Sequence, residues 1–166
     1  MYFSIVKELC VVSDPTESDH EVPADEKPPE ASEWYSAGLR FHCTQCGNCC
    51  TGTPGYVWLS TQEMIEIAEF LSISTGELRL MHTKVAQGKL SLADHANGDC
   101  VFLDGATRKC RIYPVRPAQC RTWPFWEKTI ETPEAWQATC EVCPGAGKGE
   151  LVPLEIIRES ARQSRL

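Results

Sequence analysis

Four cysteines within eight residues, Cys43-Thr44-Gln45-Cys46-Gly47-Asn48-Cys49-Cys50, constrain this chain more than anything else in it. Thiolates two residues apart converge on one metal because the intervening turn brings their sulfurs together. That spacing occurs twice, from Cys43 to Cys46 and from Cys46 to Cys49. Cys50 breaks the series. Adjacent side chains point to opposite faces of a strand, or about 100° apart on a helix, so Cys49 and Cys50 are not expected to serve one mononuclear site. The pattern predicts a polynuclear cluster or two neighbouring ions. The remaining ligands would come from Cys100, Cys110, Cys120 and the pair Cys140-x-x-Cys143. Nine cysteines follow residue 40, more than one tetrahedral zinc site uses. Inert core cysteines would not be bunched in this way. Iron and zinc both accept thiolate sets; an iron–sulfur cluster is the favoured cofactor and zinc the alternative.

The compartment bears on this reading, because a secreted chain would spend its cysteines on disulfides. The opening Met1-Tyr2-Phe3-Ser4-Ile5-Val6-Lys7-Glu8 has no basic region leading into a long apolar stretch, and no later run approaches a membrane span. A cytoplasmic protein with no membrane association is expected. The formal charge is −7, and residues 13–33 hold eight carboxylates against Lys27 alone, which accounts for the whole excess. The balanced remainder offers no basic field for a phosphate backbone, so no nucleic-acid partner is expected. The same acidic stretch contains Pro15, Pro23, Pro28 and Pro29 and almost no large apolar side chains. Residues 1–33 are therefore predicted to be a disordered acidic segment carrying an idle Cys10, and residues 34–166 a cysteine-cluster metal-binding domain.

Within that domain, Tyr56 to Leu59 is β-prone and runs into Ser60-Thr61-Gln62-Glu63, a capping box that starts a helix. Met64, Ile65, Ile67, Ala68 and Leu71 form its apolar stripe. Ser74 caps a second helix predicted to reach about Val85. A strand is expected over Lys89 to Leu92, and a hairpin from Cys100 to Leu103 and Lys109 to Tyr113, turned at Asp104-Gly105. Pro117 opens a short helix through Cys120, Pro124 ends that element, Pro144 to Gly149 is loop, and a last helix runs from Pro153 to about Gln163. The fold class is α+β: a small, irregular, cysteine-rich domain with few helices and a short hairpin.

The residues Phe41-x-Cys43-x-x-Cys46-Gly47-x-Cys49-Cys50, Val57-x-Leu59-Ser60-x-x-Glu63, Cys100-x-Phe102-Leu103, Cys110-x-Ile112-Tyr113-x-x-Arg116-Pro117-x-x-Cys120-Arg121-x-x-Pro124-Phe125 and Cys143-Pro144-Gly145-x-Gly147-x-Gly149 carry a resemblance. Over roughly residues 39–149 the chain resembles the cysteine-cluster (CxxCxxCC) proteins, zinc- or iron-chelating domains related to the flagellin lysine N-methylases. The resemblance implies a ligand set of Cys43, Cys46, Cys49, Cys50, Cys100, Cys110, Cys120 and Cys143, with Cys140 as an additional candidate. It also implies a second reading, a protein-modifying enzyme.

Arg116 and Arg121 flank Cys120, where fixed positive charge favours thiolates and offsets the charge of a cluster; clamping a substrate anion is the other use of the same geometry. His42 beside Cys43 is expected to be a supporting or simply exposed group rather than a ligand, and Trp123, Phe125 and Trp126 to shield the centre or simply fill the core. The glycine loop after Cys143 lacks the P-loop pattern, and no strand–G-x-G-x-x-G–helix unit occurs. Three functions remain: a metalloprotein for electron transfer, sensing or metal handling; a protein-modifying enzyme; and a structural zinc module for partner binding. The expected partners are the metal or cluster and a protein partner or substrate, and no catalytic residue is identifiable.

Overall fold

The computed structural model describes residues 33–52 and 55–164. The expectations for the acidic segment and Cys10 lie outside them, except for Glu33, whose carboxylate accepts from Arg158 Nε at 2.8 Å. Helix α1 (Thr61–Leu71) starts as predicted: the Ser60 hydroxyl accepts from the Glu63 amide, and the Glu63 carboxylate accepts from the Ser60 amide. The box thereby satisfies N–H groups that a first turn leaves without helical partners. Ile67 and Ala68 are buried, with Met64 and Leu71 packed around them. Ile65 is a correction. It sits about 110° round the helix from the centre of that stripe and is 37% exposed.

The second helix is shorter than expected. α2 (Thr75–His82), capped by the Ser74 hydroxyl, stops before Thr83. Strand β2 (Thr83–Ala86) then pairs antiparallel with β3 (Lys89–Leu92), Thr83 opposite Leu92 and Ala86 opposite Lys89. Two influences override the helix. Gln87 and Gly88 both take positive φ, 51° and 74°, the geometry of a tight hairpin turn, and the β-branched Thr83 and Val85 favour extended backbone.

The hairpin predicted after Cys100 is reduced to a reversal. The Asp104 carboxylate accepts from the Thr107 amide and hydroxyl, both at 2.7 Å, and a single bridge joins Leu103 to Cys110. A 3-10 turn (Tyr113–Val115) leads to α3 (Ala118–Arg121), whose N-cap is Pro117. Two further helices were not anticipated: α4 (Glu127–Ile130) and α5 (Pro133–Val142). α5 has a readable start, with Thr132 capping the Ala135 amide and Pro133 in the first turn. Strand β4 (Glu150–Val152) pairs antiparallel with β1 (Leu39–Phe41), and α6 (Leu154–Gln163), in the predicted place, buries Ile157 and Ala161.

The outcome is an α+β fold with two separate two-stranded sheets among the described residues. Two small cores hold it together. Leu39, Phe125, Ile130, Trp136 and Ile157 centre the first, built from both ends of the described chain. Ile67, Leu78, Leu92, Phe102 and Ile112 centre the second, built from the middle. Each fully buried large side chain contributes about 1.5–3 kcal/mol before ordering entropy is subtracted, so neither cluster is a large core. What joins them therefore matters, and the cysteines stand at the join: Cys143 belongs to the first core, while Cys100 and Cys110 pack on the second. Among the described residues no helix is long and apolar enough to cross a membrane.

Candidate metal centre

Left-handed backbone shapes the first cysteine loop. Gln45 has φ 54° and Gly47 φ 77°. A Cβ on Gly47 would lie 2.3 Å from the Arg108 carbonyl oxygen, so glycine lets the loop press onto the reversal that carries Cys110. Asn48 to Cys50 then make a 3-10 turn, closed by the Cys50 amide donating to the Gly47 carbonyl at 2.9 Å.

Backbone bonds draw the distant cysteines to this loop. The Cys100 amide donates to the Cys50 carbonyl at 2.8 Å, and the Asn48 side-chain amide donates to the Val142 carbonyl at 3.0 Å, next to Cys143. The loop after Cys143 is clamped to β1, since the His42 amide donates to the Gly145 carbonyl and the Gly147 amide to the Arg40 carbonyl. A Cβ on Gly145 would fall 1.8 Å from the His42 oxygen. Cys120 rides on α3, which is anchored from afar: the Glu63 carboxylate accepts from the Ala118 amide at 2.7 Å.

The sulfurs line two small adjoining cavities. One, of about 60 Å³, has Cys43, Cys46, Cys49, Cys120 and Cys143 in its walls, with Phe41, Arg116, Arg121 and Trp123. The other, of about 40 Å³, has Cys43, Cys49, Cys50, Cys100, Cys110 and Cys120, with Tyr113 and Arg116. Every one of the eight ligands implied by the resemblance lines one or both. Cys140 lines neither and packs against the first core. Exposure is uneven, since Cys143 is buried while Cys43 and Cys49 reach the surface.

Cys49 and Cys50 do not diverge as predicted. Their sulfurs are 3.8 Å apart: adjacent residues of a 3-10 turn leave it about 120° apart, so the side-chain torsions bring the two sulfurs together. A tetrahedral thiolate site with metal–sulfur bonds of about 2.3 Å has sulfurs about 3.8 Å apart, so this pair matches one edge of such a site. Cys50 makes thiol contacts with both Cys49 and Cys110. Hydrogen bonding to Cys50 brings the Cys49 thiol down to about 7 and the Cys110 thiol likewise, with the Arg116 guanidinium adding to both. Cys50 is pushed up by the same two contacts, and burial raises Cys100 and Cys120. Metal binding displaces such protons. Among the described residues no three His, Cys, Asp or Glu side chains are already gathered as one ion's ligand set, so binding must draw further sulfurs inward.

Around the sulfurs, Arg116 lies 3.8 Å over the Tyr113 ring and donates from Nε to the Tyr113 carbonyl. Arg121 donates to the Arg116 carbonyl at 2.5 Å. The Tyr113 hydroxyl reaches the Cys43 sulfur, and that bond raises its pKa above the ordinary tyrosine value. Tyr113 has no role legible in the sequence beyond its place in the run Cys110-x-Ile112-Tyr113. His42 lines neither cavity. Phe125 is core, stacked on Trp136, whereas Trp123 and Trp126 line an open groove of about 380 Å³ that reaches Cys49, Cys50 and Cys100.

A family model described as "CxxCxxCC: Putative zinc- or iron-chelating domain" matches residues 42–144. The chain belongs to the CxxCxxCC family. Its cysteine cluster is thus of the zinc- or iron-chelating kind, and the matched span contains all eight cavity-lining cysteines. This CxxCxxCC chain is also 33% identical over 83 residues to the uncharacterized protein MJ0661 of Methanocaldococcus jannaschii. The shared stretch is 50% of this chain and 43% of that protein, so the chain spans under half of that relative's length. No solved structure matches it.

Proposed function

We propose that this CxxCxxCC protein is a cytoplasmic metalloprotein that holds an iron–sulfur cluster, in preference to zinc, and serves in electron transfer, sensing or metal handling. Residues 34–166 make up its metal-binding domain, with the acidic residues 1–33 outside it. The observation that carries this reading is the convergence of eight cysteines, drawn from five separate chain segments, on two adjoining cavities. An all-thiolate donor set suits soft or borderline metals and iron–sulfur clusters, and the guanidinium of Arg116 beside both cavities offsets the negative charge that such a set accumulates.

When bound, an iron–sulfur cluster supplies one-electron chemistry whose potential depends on net charge, hydrogen bonds to sulfur and exposure. The chain contributes to each of these. Tyr113 donates to the Cys43 sulfur, Arg116 supplies positive charge, and the groove beside Trp123 and Trp126 opens the Cys49 and Cys50 edge to a partner. The lysine-modifying activity implied by the resemblance has no site observation behind it here.

The test is the visible spectrum, acid-labile sulfide and metal content of protein purified anaerobically. A visible charge-transfer band with sulfide and iron in comparable amounts is expected. Colourless, sulfide-free protein containing zinc would replace the cluster with zinc, and folded protein devoid of any metal would remove the chelation reading altogether.

A further inference from the structure

The two cavities share some walls and not others, and that division has chemical content. Cys46 and Cys143 line only the first cavity; Cys50, Cys100 and Cys110 line only the second; Cys43, Cys49 and Cys120 stand in the wall between. Each cavity therefore has more sulfurs at hand than one tetrahedral ion takes. Their volumes, about 60 and 40 Å³, admit only a few atoms each, given that one water-sized sphere occupies about 10–15 Å³ by the same measure.

Two of the three wall cysteines can be assigned. Cys49 goes with the second cavity, because its sulfur lies 3.8 Å from that of Cys50, a tetrahedral edge already formed. Cys43 goes with the first through its Cys43-x-x-Cys46 turn, and Cys120, which lines both cavities, stays in the wall between them.

Resting on the chelation reading above and not on which metal is bound, we infer that the centre has two metal positions in two thiolate lobes, one of Cys43, Cys46 and Cys143 and the other of Cys49, Cys50, Cys100 and Cys110, with Cys120 in the wall between them. The lobes also fall on different parts of the fold. Cys143 belongs to the first core, and Cys100 and Cys110 pack on the second. Each small core thus brings ligands to its own metal position, and the wall between the lobes lies at the join between the cores.

The inference is tested by titrating metal-free, reduced full-length protein with cobalt(II) alone, counting bound cobalt per chain and following the thiolate-to-cobalt absorption. The wild-type chain is expected to saturate at about two ions. Cys46→Ser and Cys143→Ser should each remove one ion and leave the other with an intact thiolate spectrum, and so should Cys100→Ser and Cys110→Ser. Cys143 is buried, so Cys46→Ser serves as the primary first-lobe variant, with far-UV circular dichroism reporting the fold of each protein. Wild-type saturation at one ion would overturn the two-lobe centre. So would complete loss of cobalt from folded Cys46→Ser or folded Cys110→Ser, because an indivisible site empties as a whole. Absence of uptake by folded wild-type protein would strike the chelation reading on which the inference rests.

Discussion

Glu63 couples the start of one helix to the start of another, and its replacement by glutamine has a magnitude that can be worked out. Its carboxylate is buried, 7% exposed, and accepts three hydrogen bonds: from the Ser60 amide at 2.8 Å, the Ser60 hydroxyl at 2.7 Å and the Ala118 amide at 2.7 Å. Glu63→Gln keeps one oxygen, which can still serve Ala118, and turns an NH2 group toward the two Ser60 donors. Hydrogen bonds to a charged acceptor contribute about 1.5–3 kcal/mol each. With the Ser60 hydroxyl free to rotate and recover part of the loss, the net cost is about 2–4 kcal/mol, a Tm lower by roughly 6–12 °C for a domain of this size.

The pH dependence has a definite sign. Burial pushes the Glu63 pKa up, but the Ala118 and Ser60 amides and the Ser60 hydroxyl outweigh it and hold the value below its ordinary one. A depressed folded pKa contributes stability that is fully present above the unfolded value of about 4.3 and is lost as pH falls through the folded pKa. The Tm gap between wild type and Glu63→Gln is therefore expected to be full near neutrality and to close in acid. Both proteins shed metal as thiolates protonate, so the gap is the quantity to follow by differential scanning calorimetry. Metal content should fall as well, because Ala118 sits two residues before Cys120. Equal Tm values at neutral pH, or a gap undiminished in strong acid, would refute this account of the contact.

Arg116→Leu removes the positive charge that helps to lower the Cys49 and Cys110 thiols to about 7. In metal-free reduced protein, the ultraviolet thiolate titration should shift to higher pH, and an unchanged curve would mean that the guanidinium does not act on them. Deleting residues 1–33 should leave metal content unaltered and Tm within a few degrees, since among the described residues every cysteine that lines either cavity lies at or after Cys43. Loss of metal from the truncated chain would place Cys10 in the centre.

Local chemistry was legible in the sequence wherever a few neighbouring residues settle the outcome. Ser60 with Glu63, and Ser74 with Glu77, announced their helices, and the cysteine spacing announced a shared metal site. Legibility failed where tertiary contact or unusual backbone decides. The Gln87-Gly88 turn converted the end of a predicted helix into β2, because two residues of positive φ outweigh a weak helical preference. Cys49 and Cys50 converge to 3.8 Å through side-chain torsions, which a rule on backbone directions does not cover. The bond from Ala118 to Glu63 spans 55 residues, and nothing near either partner signals it. Thr132-Pro133 did signal α5 in the ordinary way, within a stretch otherwise read only for its aromatic residues.

The two cores also differ in when their parts come into existence. The second needs nothing beyond Val115, whereas the first lacks Ile157 and Ala161 until α6 has been synthesised. On a ribosome, then, Cys49, Cys50, Cys100 and Cys110 and the core beneath them have all been polymerised while Cys143 is still untranslated. For that interval the growing polypeptide presents a nearly complete thiolate nest with no completed first core beside it, and whichever metal is at hand meets that nest first.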